Sequence, residues 1–393
     1  MRPGNVISLS LLLALTGATS AARPEVRRRP GGLRDLGRGR KVRLVYFVPN
    51  DRKPTRAWRG KIQTVMTFVN DLFRSSLRDG GFAAGGLDFE FAGDGRLTVH
   101  LVRGRHAAAH YNGAPKYAFL RQWQTILPEV TKALGPADKR LFAIFAETYD
   151  PGANRYEWPG GVALGAQFSS DGGVGLFSAW ILRDAFCADS TAGQLKLLAD
   201  ATPIRGRTAL GCGKPNSPRF EFIEDGFGAL AHELGHALGL WHDHRRDRLY
   251  IMGNGFRSLR WNYLRVRGAA GKVCFSPDNT RMLAFTRLLN AKADLEDNRP
   301  PTIKLDCPKQ IAAGTTKITV EAEVRDDKAL GASVLFCDHG DSVVWGKGHA
   351  GRADRAEITF EIRPAKPGEI RLHLGTIDRG GNLARARGKI AVK

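Results

Sequence analysis

Acidic residues are scarce in this chain of 393 residues: 39 Asp and Glu stand against 60 Lys and Arg, a formal net charge of +21. That imbalance excludes an acidic, self-repelling chain and suits an anionic partner, such as an acidic polysaccharide or a cell surface. It is equally compatible with a merely basic secreted protein. No nucleic-acid motif accompanies the charge, so no nucleic-acid partner is expected. Cysteine is scarce too. The five are Cys187, Cys212, Cys274, Cys307 and Cys337, none at zinc-finger spacing, and an odd count excludes full internal pairing. Cys187 with Cys212 and Cys307 with Cys337 are the candidate pairs. Beyond the first residues no apolar run is long enough for a transmembrane segment. The oligomeric state is left open.

What apolar runs there are tell more. Residues 1–21 carry an early Arg2, an apolar stretch from Val6 to Leu15 and then small residues through Ala21. This reads as a cleaved signal peptide, hence a secreted protein, or a periplasmic one in a bacterium. Residues 22–41 are rich in Arg, Gly and Pro and read as a basic disordered arm. From Val42 the pattern turns globular. Strands are expected at 42–48, 87–91, 97–102 and 141–145. Helices are expected at 57–77 and at 117–134, the latter open to being split by Pro128. This order predicts an α/β (α+β) domain over 42–296 with a mixed, mostly parallel twisted sheet.

The chemistry concentrates in one stretch, Ala231-His232-Glu233-Leu234-Gly235-His236-Ala237-Leu238-Gly239-Leu240-Trp241-His242. On a helix, residues four apart share a face, so His232 and His236 can aim two imidazoles at one metal ion. Glu233 can reach a water beside it. Gly239 can take a left-handed conformation and end the helix, which lets the chain return His242 as a third ligand. Three imidazoles with a fourth position open is the arrangement of a catalytic zinc ion, Zn2+. Ten residues on, Tyr250-Ile251-Met252-Gly253 offers a turn in which Met252 could floor the site.

His232, Glu233, His236, Gly239, His242 and Met252 together resemble the metzincin metalloproteases. Asp243 after the third histidine is similar to the adamalysin (reprolysin) group, although the family stays unassigned: the turn lacks a preceding cysteine, and Asn254 stands where some metzincins carry a tyrosine. The resemblance implies a zinc metalloendopeptidase acting on peptide or protein substrates, with Glu233 as general base and acid. It also implies a substrate-binding edge strand, assigned to Val162, Ala163, Leu164, Gly165 and Ala166. Two other readings stay open. One is a non-catalytic secreted protein that binds an anionic surface or polysaccharide. The other is a zinc hydrolase of a non-peptide amide or ester.

The helix carrying the histidines is expected to start at Glu224, Asp225 or Gly226. A later one should begin at Ser276-Pro277-Asp278, a serine cap followed by proline and an acid, and run to about Leu289. After a linker at 297–301, seven short alternating stretches predict an all-β sandwich over 300–393, similar to immunoglobulin-like or fibronectin-like modules. Asp326 and Asp327 could take Ca2+, but turn chemistry explains them more simply.

Overall fold

Val42–Val48 (β1) is apolar at nearly every position, the pattern of a strand covered on both faces. In the computed structural model, which describes residues 23–82, 85–112, 118–149, 163–206 and 214–393, it lies inside a five-stranded sheet. The other strands are β2 (Val99–Arg103), β3 (Leu141–Ala146), β4 (Ala163–Ser169) and β5 (Gly172–Ser178). Their order is β2-β1-β3-β5-β4. All pairs are parallel except the last, in which β4 runs antiparallel to β5 at the sheet edge. The expected mixed, mostly parallel sheet is therefore present. The signal-peptide stretch, Val162 and Cys212 lie outside the described residues.

Alternate side chains feed two cores. Leu44, Tyr46, Ala143 and Phe145 face one side of the sheet, against α1 (Trp58–Asp79) and α5 (Arg219–Ala237). Val45, Phe47, Phe142 and Ile144 face the other, against Ile126 and Val130 of α3 (Ala118–Leu134). The short helices α2 (Ala108–Asn112) and α4 (Thr191–Leu198) lie between these elements in sequence. Pro128 does not split α3. The carbonyl it leaves without a partner belongs to exposed Gln124, where water can take the place of the lost N–H. The stretch expected as a strand at 87–91 makes only isolated bridges, Phe89 to Val42 and Phe91 to Leu97.

The arm is not disordered where it is described, from residue 23 onward, and its arginines explain why. Arg28 pairs with buried Asp71, which also accepts from Arg74 and the Tyr263 hydroxyl. The N–H groups of Leu36 and Arg38 both donate to the Asp88 carboxylate at 2.8 Å. Arg40 pairs with Asp171 at 2.5 Å. Composition alone made this segment look solvated, but its charges and backbone N–H groups meet acids of the folded domain.

The C-terminal part is a β-sandwich. One sheet has the order β10-β9-β12-β13-β7 and the other β11-β8-β6. The strands are β6 (Thr302–Asp306), β7 (Gln310–Ile311), β8 (Lys317–Arg325), β9 (Leu330–Cys337), β10 (Ser342–Gly348), β11 (Ala353–Glu361), β12 (Gly368–Asp378) and β13 (Leu383–Val392). The seven stretches read from sequence are all there; the eighth, β7, is two residues long and too short to show a period. Cys307 and Cys337 are free thiols, as are Cys187 and Cys274, so the expected Cys307–Cys337 pair is absent. Cys307 instead lies against Gly388 of β13, while Cys337 closes β9.

The sandwich is joined tightly to the α/β part. Ala332, Val334, Val343 and Ile377 belong to the same apolar cluster as α1 and α5. Arg287, just past α6 (Pro277–Phe285), is 4% exposed at its side chain and ties three regions together. It donates to the Gly380 carbonyl at 2.9 Å, to Asn382 Oδ1 at 2.6 Å, to the Asp297 carbonyl and to the Asp171 carboxylate at 3.0 Å. Replacing Arg287 with Ala is expected to cost about 3–5 kcal/mol, the scale for breaking a buried charged network. Urea unfolding of the full chain measures it, and a loss under about 1 kcal/mol would refute the lock.

Candidate metal centre

Helix α5 begins five residues before the earliest expected start, at Arg219 after Pro218, with Glu221 in its first turn. The acids taken as its start are interior. Glu224 is buried and accepts from the Arg260 N–H at 2.8 Å, and Asp225 accepts from Arg257 at 3.0 Å. The C-terminal end is as the sequence predicts: Gly239 has φ +92°, beyond the reach of most L-residues, and the chain turns there. On the other side, α6 is capped by Ser276, whose hydroxyl accepts from the Asn279 N–H, but it ends at Phe285. Asn279 in turn donates to the Trp241 carbonyl at 3.3 Å, next to the third histidine.

The turn brings His232, His236 and His242 together, with one ring nitrogen of each within 4.8 Å of the others. Their tautomers are fixed by what lies behind them. His232 Nδ1 faces the Ile251 carbonyl at 2.7 Å, His236 Nδ1 the Leu240 carbonyl at 2.9 Å, and His242 Nδ1 the Asp341 carboxylate at 2.8 Å. Carbonyl and carboxylate oxygens only accept, so each Nδ1 carries the proton and each Nε2 presents a lone pair. Burial drives the His232 ring well below its usual pKa, and burial together with neighbouring His242 holds His236 at about 4. The Nε2 atoms of His236 and His242 nevertheless stand 3.1 Å apart. Two lone pairs at that distance repel unless a cation lies between them. The cluster therefore fits a metal ion such as zinc, whose ligands are neutral imidazoles with their second nitrogens engaged.

Met252 is fully buried, and its Sδ lies against Gly235, the helix residue between the two histidines of α5. The turn around it is closed by the N–H groups of Gly253 and Gly255 donating to the Tyr250 carbonyl. The same turn supplies the Ile251 carbonyl to His232, so floor and histidine support come from adjacent residues. Asn254 donates to Asp247, which accepts from His244 at 2.6 Å. Asp243 is fully buried and accepts from Arg245, which reaches on to Asp278 at 2.7 Å. The residue that carried the adamalysin likeness thus anchors the loop after His242 to the start of α6.

Glu233 is half-buried and aimed at the edge strand. Burial pushes its carboxyl up to about 8, while the neighbouring Gly165 N–H pulls the other way. A cation on the three histidines would favour the ionised form further. Gly165, Gly173 and Gly175 of β4 and β5 lie directly under α5: a Cβ on the first two would strike the carbonyl oxygens of Glu233 and Ala237. The glycine-rich character of residues 163–175 is therefore the bed of the helix. Ala163, Leu164, Gly165 and Ala166 occupy an edge strand, and among the described residues no strand pairs with the outer side of β4.

The chain is similar in fold to OgpA from Akkermansia muciniphila. A catalytically inactive form of OgpA, in complex with an O-glycopeptide substrate (glycodrosocin), matches with a TM-score of 0.63 and 14% identity, over 94% of this chain and 97% of that one. Wild-type OgpA matches with a TM-score of 0.62 and 14% identity, over 94% and 98%. The likeness covers both the α/β part and the sandwich. No family model and no curated relative matches. Among the described residues no helix is long and apolar enough to cross a membrane.

Two other groupings are present: His242, His244 and Asp341, and Asp297, Asp326 and Asp327 where the linker meets the sandwich. There Asp326 Oδ1 accepts from the N–H groups of Lys328 and Ala329, which is turn chemistry. Sequence reasoning missed Asp341 altogether. It lies 99 residues from His242, in a turn between two strands, and nothing local marks it.

Proposed function

We propose that the protein is a secreted zinc-dependent endopeptidase. The observation that carries this reading is the convergence of three Nε2 lone pairs at the end of a helix whose Glu233, next to His232, packs against the edge strand. His232, His236 and His242 would hold the ion. Zinc bound there supplies a Lewis acid that acidifies water and polarises a carbonyl. The chain's own residues do the rest. The free edge of β4 at Ala163–Ala166 receives the substrate backbone as an added strand and so aligns the scissile bond along α5. Glu233 takes a proton from the attacking water and returns it to the leaving amine. The close packing of Gly165 on the Glu233 backbone couples the base to the strand that holds the substrate. The O-glycopeptide bound by the similar OgpA supports O-glycosylated peptides as the substrate class to try first.

The test is digestion of matched peptide libraries, plain and O-glycosylated, by the purified protein with chelator, without it, and after zinc is restored. Cleavage that chelator abolishes and zinc restores is the expected result, with glycosylated peptides cut faster. Chelator-resistant cleavage, or none in any sample, would overturn the reading.

A further inference from the structure

We infer that the C-terminal sandwich completes the metal centre, and that Asp341 is a positioning residue which orients His242 toward the ion. The inference rests on the zinc reading of the three histidines. Two of them are held from within the α/β part, by the Ile251 and Leu240 carbonyls. Among the described residues the third is held from the sandwich. Asp341 Oδ2 lies 2.8 Å from His242 Nδ1, opposite the nitrogen that faces the other imidazoles. A carboxylate behind a ligating imidazole fixes its tautomer and raises its basicity, and its loss costs such sites about 10–100-fold in metal affinity.

The backbone shows that this contact is built in. The connection between β9 and β10 runs alongside the segment that carries His242. The Val343 N–H donates to the His242 carbonyl at 2.8 Å, and the His244 N–H donates to the Ser342 hydroxyl at 2.9 Å. Trp241, one residue before the ligand, packs on Phe336 and His373 of the sandwich. Asp341 itself has φ +47° and ψ +45°, in the left-handed region where glycine is most at ease. The turn alone would be served at least as well by glycine. What glycine cannot provide is the acceptor for His242.

That contrast supplies the test. Zinc affinity of the full-length protein is measured by competition with a chelator of known affinity, and thermal stability is measured on the metal-free protein. Asp341→Gly is expected to leave metal-free stability unchanged or slightly higher and to weaken zinc binding about 10–100-fold. Asp341→Asn, which keeps a neutral acceptor, should fall between it and wild type. Asp341→Gly with wild-type affinity would overturn the inference while leaving the zinc reading intact. His244 also lies near, with Nε2 3.9 Å from Asp341 Oδ2. His244→Ala should bind zinc as wild type does. A loss matching that of Asp341→Gly would make His242, His244 and Asp341 the ligand set and would overturn the positioning role. If the wild type fails to bind one zinc, or His236→Ala binds it equally well, the zinc reading falls and the inference with it.

Discussion

Replacing Glu233 with alanine is expected to lower turnover about a thousandfold and to leave zinc bound. General acid–base catalysis by one well-placed group contributes about 10²–10⁴ in rate, and Glu233 is the carboxyl next to the converging nitrogens. Glu233 is not among the three nitrogen donors, so its removal leaves the imidazoles and their Nδ1 anchors in place. The glutamine variant sharpens the test. It keeps the shape, but it cannot take a proton. Its turnover should fall as far as that of the alanine variant. Its metal-free stability should not fall, because partial burial already disfavours the charged form there. Zinc content by atomic absorption, kcat on one peptide and a melting curve decide it. Either variant keeping more than a tenth of wild-type turnover would remove Glu233 from the role of base.

How much of this was legible in the sequence depends on the range of each interaction. His232 and His236 share a face because of helix geometry, and four residues of sequence contain all of it. Gly239 and Met252 are also local: one must adopt positive φ, and the other sits in a turn closed by its neighbours. The alternation of the β-strands shows the sandwich for the same reason. What sequence hides is which distant group answers a given charge. Arg28 and Arg40 read as a solvated tail because Asp71 and Asp171 are far away along the chain. Glu224 and Asp225 read as a helix start, since acids favour first turns, but they sit mid-helix against Arg260 and Arg257. Asp341 carries no local signal, because its turn between β9 and β10 reads like any other. Only the docking of the sandwich puts it behind His242. The module that sequence marked only as a β-sandwich thus places a side chain against the candidate centre.

The second large effect is expected at Gly165, a residue with no chemistry of its own. Strand β4 approaches α5 so closely that a Cβ on Gly165 would overlap the carbonyl oxygen of Glu233, with the carbonyl carbon and Cα next nearest. All three are backbone atoms, so no rotamer change relieves the clash, and the strand must move away from the helix. Gly175, its partner across the sheet, is tight as well: a Cβ there would meet Phe177 and Leu234. Gly165→Ala should therefore cost about 1–3 kcal/mol, the usual range for overpacking a close contact. The functional loss should be larger than that stability loss suggests. Moving β4 opens the close packing of Gly165 against Glu233 and displaces the edge that aligns substrate, and a misplacement of about 1 Å can cost about a hundredfold in rate. Since strand and base move together, kcat should fall and KM rise, whereas Glu233→Gln should affect kcat alone. Gly93→Ala is the control, because a Cβ there meets nothing within 4 Å. If Gly165→Ala melted like the control and kept wild-type kinetics, β4 would not be in contact with the base, and the coupling of substrate strand to proton transfer would be lost with it.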